Sequence, residues 1–550
     1  MTDSAKIPAT EWAVQLTGPG TLELNKTKPV MPPGPRQLLA RIEAVGLCFS
    51  DLKLLKQFSG HVRKDGIVAG ISSDTLAEIP SYVPGDKPTV PGHEAVCRII
   101  AVGAEVKHHR VGERVLVQAD YRSLKTAGSN GAFGYNFEGA LQEYVLMDER
   151  VIIDAATGES FLIPAAERLS AAEIALVEPW ACVENSYATA ERQGILGGGR
   201  LLVVAGPGHE ITGLEEAVKA AGAAPEQTIV RGDAAQVAAA IAVLPDGGFD
   251  DIVYFGADPA TVGTLDVKLA AKGILNLVTG GAAFGAPALI DVGRVHYGNI
   301  RFTGTLSASA ADGYRQIPAT GELRDNDRVL IIGAAGPMGQ MHVIRCACTD
   351  RKGVSVVGTD FDNARLASLD AKAQLMARKN GVKLELVNPK EAPVTGAFDY
   401  VAVMAPIAPL VTRAVKDSRE GTVINIFAGI PAGTRAPVDL DLYVKNRCWM
   451  FGTSGSRIED MKIVLRKVTD GQLNTNASVD AVSGMAGALD GLAAVENRTL
   501  AGKVIVYPGL HELGLVPLAE IATQFPAVAA KLDHGLWTAA AEQELLKVAR

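Results

Sequence analysis

Residues 329–340 read VLIIGAAGPMGQ. An apolar run passes into a turn punctuated by Gly333, Gly336 and Gly339, with a helical pattern opening at Pro337 and Met338. Small residues at these places let the chain reverse tightly and let a pyrophosphate approach the N-terminus of the next helix. The following strand-like run, VSVVGTD, ends in Asp360, 27 residues after Gly333. A carboxylate there can accept hydrogen bonds from both ribose hydroxyls of NAD and would repel the 2′-phosphate of NADP. The pattern predicts a strand–turn–helix–strand unit that takes NAD rather than NADP.

A second stretch, LLVVAGPGHEITG at 201–213, has the same strand but a longer turn. Glu210 would point negative charge at a phosphate, and the next short strand, TIV, ends at Arg231 instead of an acid. From residue 201 onward strands and helices alternate, which predicts a parallel sheet covered by helices. The alternation occurs twice. Segments 249–305 and 398–453 match in strand, glycine turn and helix, and Asp291/Asp439, Gly304/Gly452 and Asp312/Asp460 each stand 148 apart. An offset held over that distance marks an internal repeat. Residues 199–325 and 326–475 are therefore expected to be two tandem Rossmann-type domains. The first is expected to be a degenerate, structural copy and the second to hold NAD. The strand RFTGT (301–305) is expected to pair beside CWMFGT (448–453), so that the first copy covers an edge strand of the second.

Upstream, residues 1–195 are rich in strand-like runs such as LLARIEAVGL, EAVCRIIAVG and RVLVQADY, broken by Pro and Gly. At 550 residues the chain exceeds a single core. The formal net charge of −8 speaks against nucleic acid or an anionic membrane as the main partner. The N-terminal stretch lacks a basic region followed by an apolar one, and no run of about 18 apolar residues occurs. Six cysteines, at 48, 97, 182, 346, 348 and 448, are too scattered for a disulfide framework. A cytoplasmic protein without a membrane segment is the expectation.

Three short motifs carry metal-binding side chains: GLCFSDL with Cys48, Ser50 and Asp51, VPGHEA with His93 and Glu94, and LVEPWACVE with Glu178. Singly, each has an ordinary explanation: a small buried thiol, a turn histidine, a charge at a helix N-terminus. Together with VGERVLV, the nucleotide-binding pattern and GKVIVYP at 502–508, they resemble the zinc-dependent medium-chain alcohol and polyol dehydrogenases. That resemblance implies a GroES-like β-rich catalytic domain over 1–195, completed by 476–508, in an α/β chain. It also implies one catalytic zinc held by Cys48, His93 and Glu94 or Glu178. Ser50 would start a proton relay and Asp51 would orient a ligand. Glu178 in place of a cysteine favours the sorbitol-dehydrogenase-like branch. The same family places Arg365 beside the adenine and the turn INIFAGIPAG, with Ala428 and Gly429, beside the nicotinamide.

The four closely spaced cysteines of a structural zinc lobe are missing from 118–144, so no structural zinc is expected. Residues 58–88 read as an insertion near the metal turn, and Lys53 stands where many relatives carry the outer histidine of the relay. The insertion, NGAFGYNFEGALQEYVLMDERV and PGLHELGLVPLAEIATQFP are similar to L-sorbose-1-phosphate reductases, and GAAGPMG to quinone reductases. The expected activity is NAD(H)-linked hydride transfer on a polyol, sugar or sugar phosphate. The readings left open are a zinc-free quinone or enone reductase and a non-catalytic nucleotide-binding scaffold. A homo-oligomer is compatible with all three. The tail 509–550 reads as a helical packing extension.

Overall fold

The computed structural model describes residues 7–549. The chain divides into two compact units: residues 1–181 with 456–550, and residues 182–455. Among the described residues no helix is long and apolar enough to cross a membrane, and the six cysteines are free thiols.

The first unit is GroES-like, built on a mainly antiparallel sheet whose middle strand is Gln37–Gly46. That strand pairs antiparallel with Glu94–Val102, Tyr144–Asp148 and Lys503–Val506. Residues more than 400 positions apart thereby meet on one sheet. The stretch RVLVQADY does not stay one strand: it splits into Arg114–Val117 and Asp120–Thr126, which belong to different sheets. The helical pattern at 170–194 also breaks, into Ala171–Ala175 and Val177–Ala188. Pro179 has no amide hydrogen to give the carbonyl of residue 175, so a new helix begins there and sets Glu178 in its first turn. In the tail only Ala539–Val548 is a long helix. Its Glu542 carboxylate accepts the amide hydrogens of Ala171 and Ala172 and the Tyr507 hydroxyl, capping another helix N-terminus.

The second unit carries one eleven-stranded sheet. Its strands in chain order are β1 Arg200–Ala205, β2 Glu226–Arg231, β3 Phe249–Phe255, β4 Leu269–Val278, β5 Arg301–Thr305, β6 Arg328–Ile332, β7 Ser355–Thr359, β8 Lys383–Val387, β9 Phe398–Val403, β10 Ser418–Ile426 and β11 Trp449–Phe451. Their spatial order is β2-β1-β3-β4-β5-β11-β10-β9-β6-β7-β8. Each half is parallel within itself, and the halves join through one antiparallel pairing, Phe302 opposite Met450. Those two residues are 148 apart, so each faces its own counterpart across a pseudo-twofold axis. This is the RFTGT/CWMFGT pairing expected from the sequence. A two-stranded ribbon repeats the relation: Ala288–Asp291 runs antiparallel to Arg435–Val438. A continuous apolar core spans both halves, including Leu202, Ile252, Leu277, Phe302, Val401, Ile424 and Met450. Counted from β6, the second half has the strand order 3-2-1-4-5-6, and the first half lacks a counterpart of β8.

Candidate metal and dinucleotide sites

The metal-ligand cluster is assembled by three strands and two helix starts of the first unit. Cys48 is the N-cap of helix Phe49–Gln57. Asp51 closes that cap, its Oδ2 accepting the Cys48 amide hydrogen at 3.0 Å. Its Oδ1 lies 3.1 Å from Nδ1 of His93, which turns Nε2 toward Cys48 and Ser50. Ser50 Oγ is 3.0 Å from Cys48 Sγ and 3.2 Å from His93 Nε2. Ligand atoms of Cys48, His93 and Glu94 all lie within 4.8 Å of one another.

Glu94 is fully buried, and its two oxygens differ. Oε1 accepts a hydrogen bond from the ammonium of Lys503, delivered by the strand Lys503–Val506. Oε2 is buried without a partner among the described residues. It occupies room that only glycine leaves, since a Cβ on Gly46, the residue opposite Glu94 in the sheet, would lie 2.2 Å from it. An orphaned carboxylate oxygen beside a thiol and an imidazole is a donor set that fits a divalent cation. Glu178 lies outside the 4.8 Å group but shares its field. Burial pushes its pKa up to about 7, opposed by His93 and reinforced by Glu94. Burial alone would discharge Lys503, yet Glu94, Cys48 and Glu178 outweigh it and hold the ammonium above its ordinary range. Burial also disfavours a charged His93, but Asp51 and Tyr135 raise its pKa well above the usual value. The cluster favours positive charge at its centre.

In the second unit β6 is followed by Gly333, which adopts φ +85°. A Cβ on Gly339 would lie 2.2 Å from the Gly333 carbonyl oxygen, so that glycine lets helix Pro337–Ala347 seat on the turn. Pro337 is exposed and Met338 half-buried, while Gly336 caps the helix. Asp360 stands just past β7, its carboxylate accepting the amide hydrogens of Ala335 at 3.1 Å and Asp362 at 3.2 Å. Arg365 pairs with Asp362 at 3.5 Å. Ala428 and Gly429 follow β10, the amide of Ala428 donating to the Val403 carbonyl at 2.9 Å. These groups gather at the carboxyl ends of strands, around the order reversal between β6 and β9, where open α/β sheets bind ligands. In the first half eight residues, 206–213, separate β1 from helix Leu214–Ala220, against four, 333–336, in the second.

The alcohol dehydrogenase GroES-like domain family matches residues 34–157. Sorbitol dehydrogenase of Pongo abelii is 34% identical over 101 residues, covering 18% of this chain and 22% of that protein. (R,R)-butanediol dehydrogenase of Bacillus subtilis (strain 168) is 32% identical over 231 residues, covering 37% of this chain and 61% of that protein. The crystal structure of 2R,3R-butanediol dehydrogenase from Bacillus subtilis superposes with TM-score 0.52 at 13% identity, covering 91% of this chain and 100% of that one, a likeness of fold. The chain is similar to alcohol dehydrogenases over the GroES-like part, residues 34–157. It spans between about a fifth and three fifths of the length of these two curated relatives.

Sequence reading singled out Cys48, Ser50, Asp51, His93, Glu94 and Glu178, and the structure brings all six into one neighbourhood. It missed Lys503 and Tyr135. Lys503 was legible only as part of a closing strand, GKVIVYP. Tyr135 sits in the aromatic stretch AFGYNF, and its ring centre is 5.9 Å from that of His93.

Proposed function

We propose that the protein is a zinc-dependent, NAD-linked dehydrogenase that interconverts an alcohol and a carbonyl on a polyol, sugar or sugar phosphate. The observation that carries this reading is the triad of Cys48, His93 and Glu94 donors within 4.8 Å, with Glu94 Oε2 buried and unpartnered. Cys48, His93 and Glu94 or Glu178 would hold the metal, which supplies Lewis acidity toward a substrate oxygen. The second Rossmann-type copy would hold NAD, the hydride acceptor, on Gly333, Gly336, Pro337, Met338 and Gly339. Asp360, facing the ribose, selects NAD over NADP, with Arg365 beside the adenine and Ala428 and Gly429 beside the nicotinamide.

The remaining chemistry belongs to the chain. Ser50 Oγ, between Cys48 and His93, takes the substrate hydroxyl proton and passes it outward. Asp51 fixes the His93 tautomer by accepting from Nδ1, leaving Nε2 as the ligating atom. Lys503 balances one of two neighbouring carboxylates, so Glu94 and Glu178 share a single buried cation and can trade places. The first Rossmann-type copy serves as a built-in sheet partner. Its long glycine turn gives no short phosphate cradle, and its β5 covers the β11 edge. A panel of polyols and sugar phosphates, followed by NADH absorbance, tests the reading. At least one compound should reduce NAD, and Asp360→Ala should raise the KM for NAD while lowering the preference over NADP. Turnover by protein freed of metal, or unchanged in Asp360→Ala, contradicts it.

A further inference from the structure

Tyr135 lies between the proposed metal site and a set of unspent hydrogen-bond donors. Its ring is buried, 5.9 Å from His93. The His61 ring lies tilted, 5.1 Å from the same ring, and the Arg63 guanidinium lies 5.6 Å over it. Arg63 is close enough for its charge to act on Glu178. Both side chains come from the insertion 58–88, whose path is pinned by the buried Lys64 ammonium donating to the carbonyls of Val83 and Lys87.

Among the described residues, the Arg63 guanidinium makes no hydrogen bond, though only 33% of its side chain is exposed. Its one ion pair among the described residues is with Asp120, at a loose 3.5 Å. That carboxylate is already bonded by Arg122 at 2.7 Å and by Asn130, so two arginines share one acid. His61 Nδ1 accepts the Arg63 amide hydrogen at 3.2 Å, which places the imidazole proton on Nε2, and Nε2 has no partner among the described residues. Lys53, on the helix that begins at the metal cysteine, is exposed and has no ion pair among the described residues. Asp65 is the acid that acts on His61 from the insertion itself. A planar fork and an imidazole N–H, one aromatic ring away from His93, with the Lys53 ammonium near enough for its charge to act on His61, form a donor set for an oxyanion.

We propose that Arg63, His61 and Lys53 are an anion-recognition subsite, so that the alcohol carries a phosphate or carboxylate a few bonds from its reacting hydroxyl. This rests on the reading that Cys48, His93 and Glu94 mark the reacting end. A neutral polyol would leave Arg63 with only its shared acid, Asp120, and the His61 N–H without an acceptor.

Three substrates of equal chain length test it: a polyol, its terminal phosphate and the matching sugar acid, in wild type, Arg63→Ala and Arg63→Lys, with melting curves confirming a common fold. Wild type should prefer one charged substrate by about 10–100-fold in kcat/KM. Which one it prefers separates phosphate from carboxylate. Arg63→Ala should bring that ratio toward unity, mostly through KM, and Arg63→Lys should recover part of it. Calorimetric titration of the zinc-loaded protein with inorganic phosphate should show binding that weakens in Arg63→Ala. Equal kcat/KM for charged and neutral substrates in wild type overturns the subsite while leaving the dehydrogenase standing. Arg63-dependent phosphate binding in a protein that holds no zinc and oxidises no alcohol does the reverse.

Discussion

Asp51 stands three residues after Cys48 and holds both ends of the metal turn, one oxygen on the Cys48 amide and the other on His93 Nδ1. An asparagine in its place keeps the size but can offer only one carbonyl oxygen for the two hydrogens. Asp51→Asn is expected to weaken zinc binding about 10–100-fold in chelator competition, with the protein still folded. Unchanged affinity would mean that the carboxylate does not orient the ligand. The clustering of Cys48, His93 and Glu94 was legible in the sequence because each lies in a short motif whose residue types are those a metal needs, while Glu178 stands outside that group. Lys503 was not, because it reaches Glu94 only through sheet pairing across more than 400 residues. Arg63 and His61 were equally hidden. Their meaning depends on Tyr135, which reaches them through tertiary packing alone.

At the scale of elements, the insertion 58–88 depends on a buried lysine. Burial, then Lys87, pulls the Lys64 pKa from 10.5 down to about 7. Between those values the unfolded chain holds the proton and the folded chain gives it up, so stability rises with pH from 7 toward 10.5 and is lost again as pH falls. Urea unfolding at pH 7 and pH 9 should show wild type gaining up to about 3 kcal/mol relative to Lys64→Met. A difference independent of pH would show that Lys64 stays charged in the fold. Most strands were readable from their apolar runs. The misjudged elements share one cause, a proline or polar residue that breaks a pattern without changing its overall composition. Pro179 stands just inside the second of two helices, Ala171–Ala175 and Val177–Ala188, into which the helical pattern at 170–194 divides. Residues 118–119 end one strand before the next begins in another sheet. In the tail, Pro526 stands where helix Ile521–Gln524 has given way to a second short helix.

For the whole molecule, the repeat offset of 148 was visible in sequence, and the sheet gives it a physical purpose: Phe302 meets Met450 as two copies of one strand would across a dimer axis. Tyr443 fastens this junction. Its buried hydroxyl donates to the Phe302 carbonyl at 2.8 Å and accepts the Met450 amide hydrogen at 2.9 Å. Tyr443→Phe leaves both backbone groups unsatisfied and is expected to cost about 1–3 kcal/mol in urea unfolding. A loss below about 0.5 kcal/mol would mean the junction does not depend on it. The missing counterpart of β8 was not legible, because the first half keeps the alternation of strands and helices and passes from β2 through helix Ala234–Ala242 directly to β3. Elemental analysis coupled to turnover bears on whether one catalytic metal sits on Cys48, His93 and a carboxylate. Wild type is expected to carry about one zinc per chain, to lose activity on chelation and to regain it with zinc, and a folded Cys48→Ala variant to show neither metal nor activity. Full turnover by wild-type protein stripped of metal would contradict that expectation.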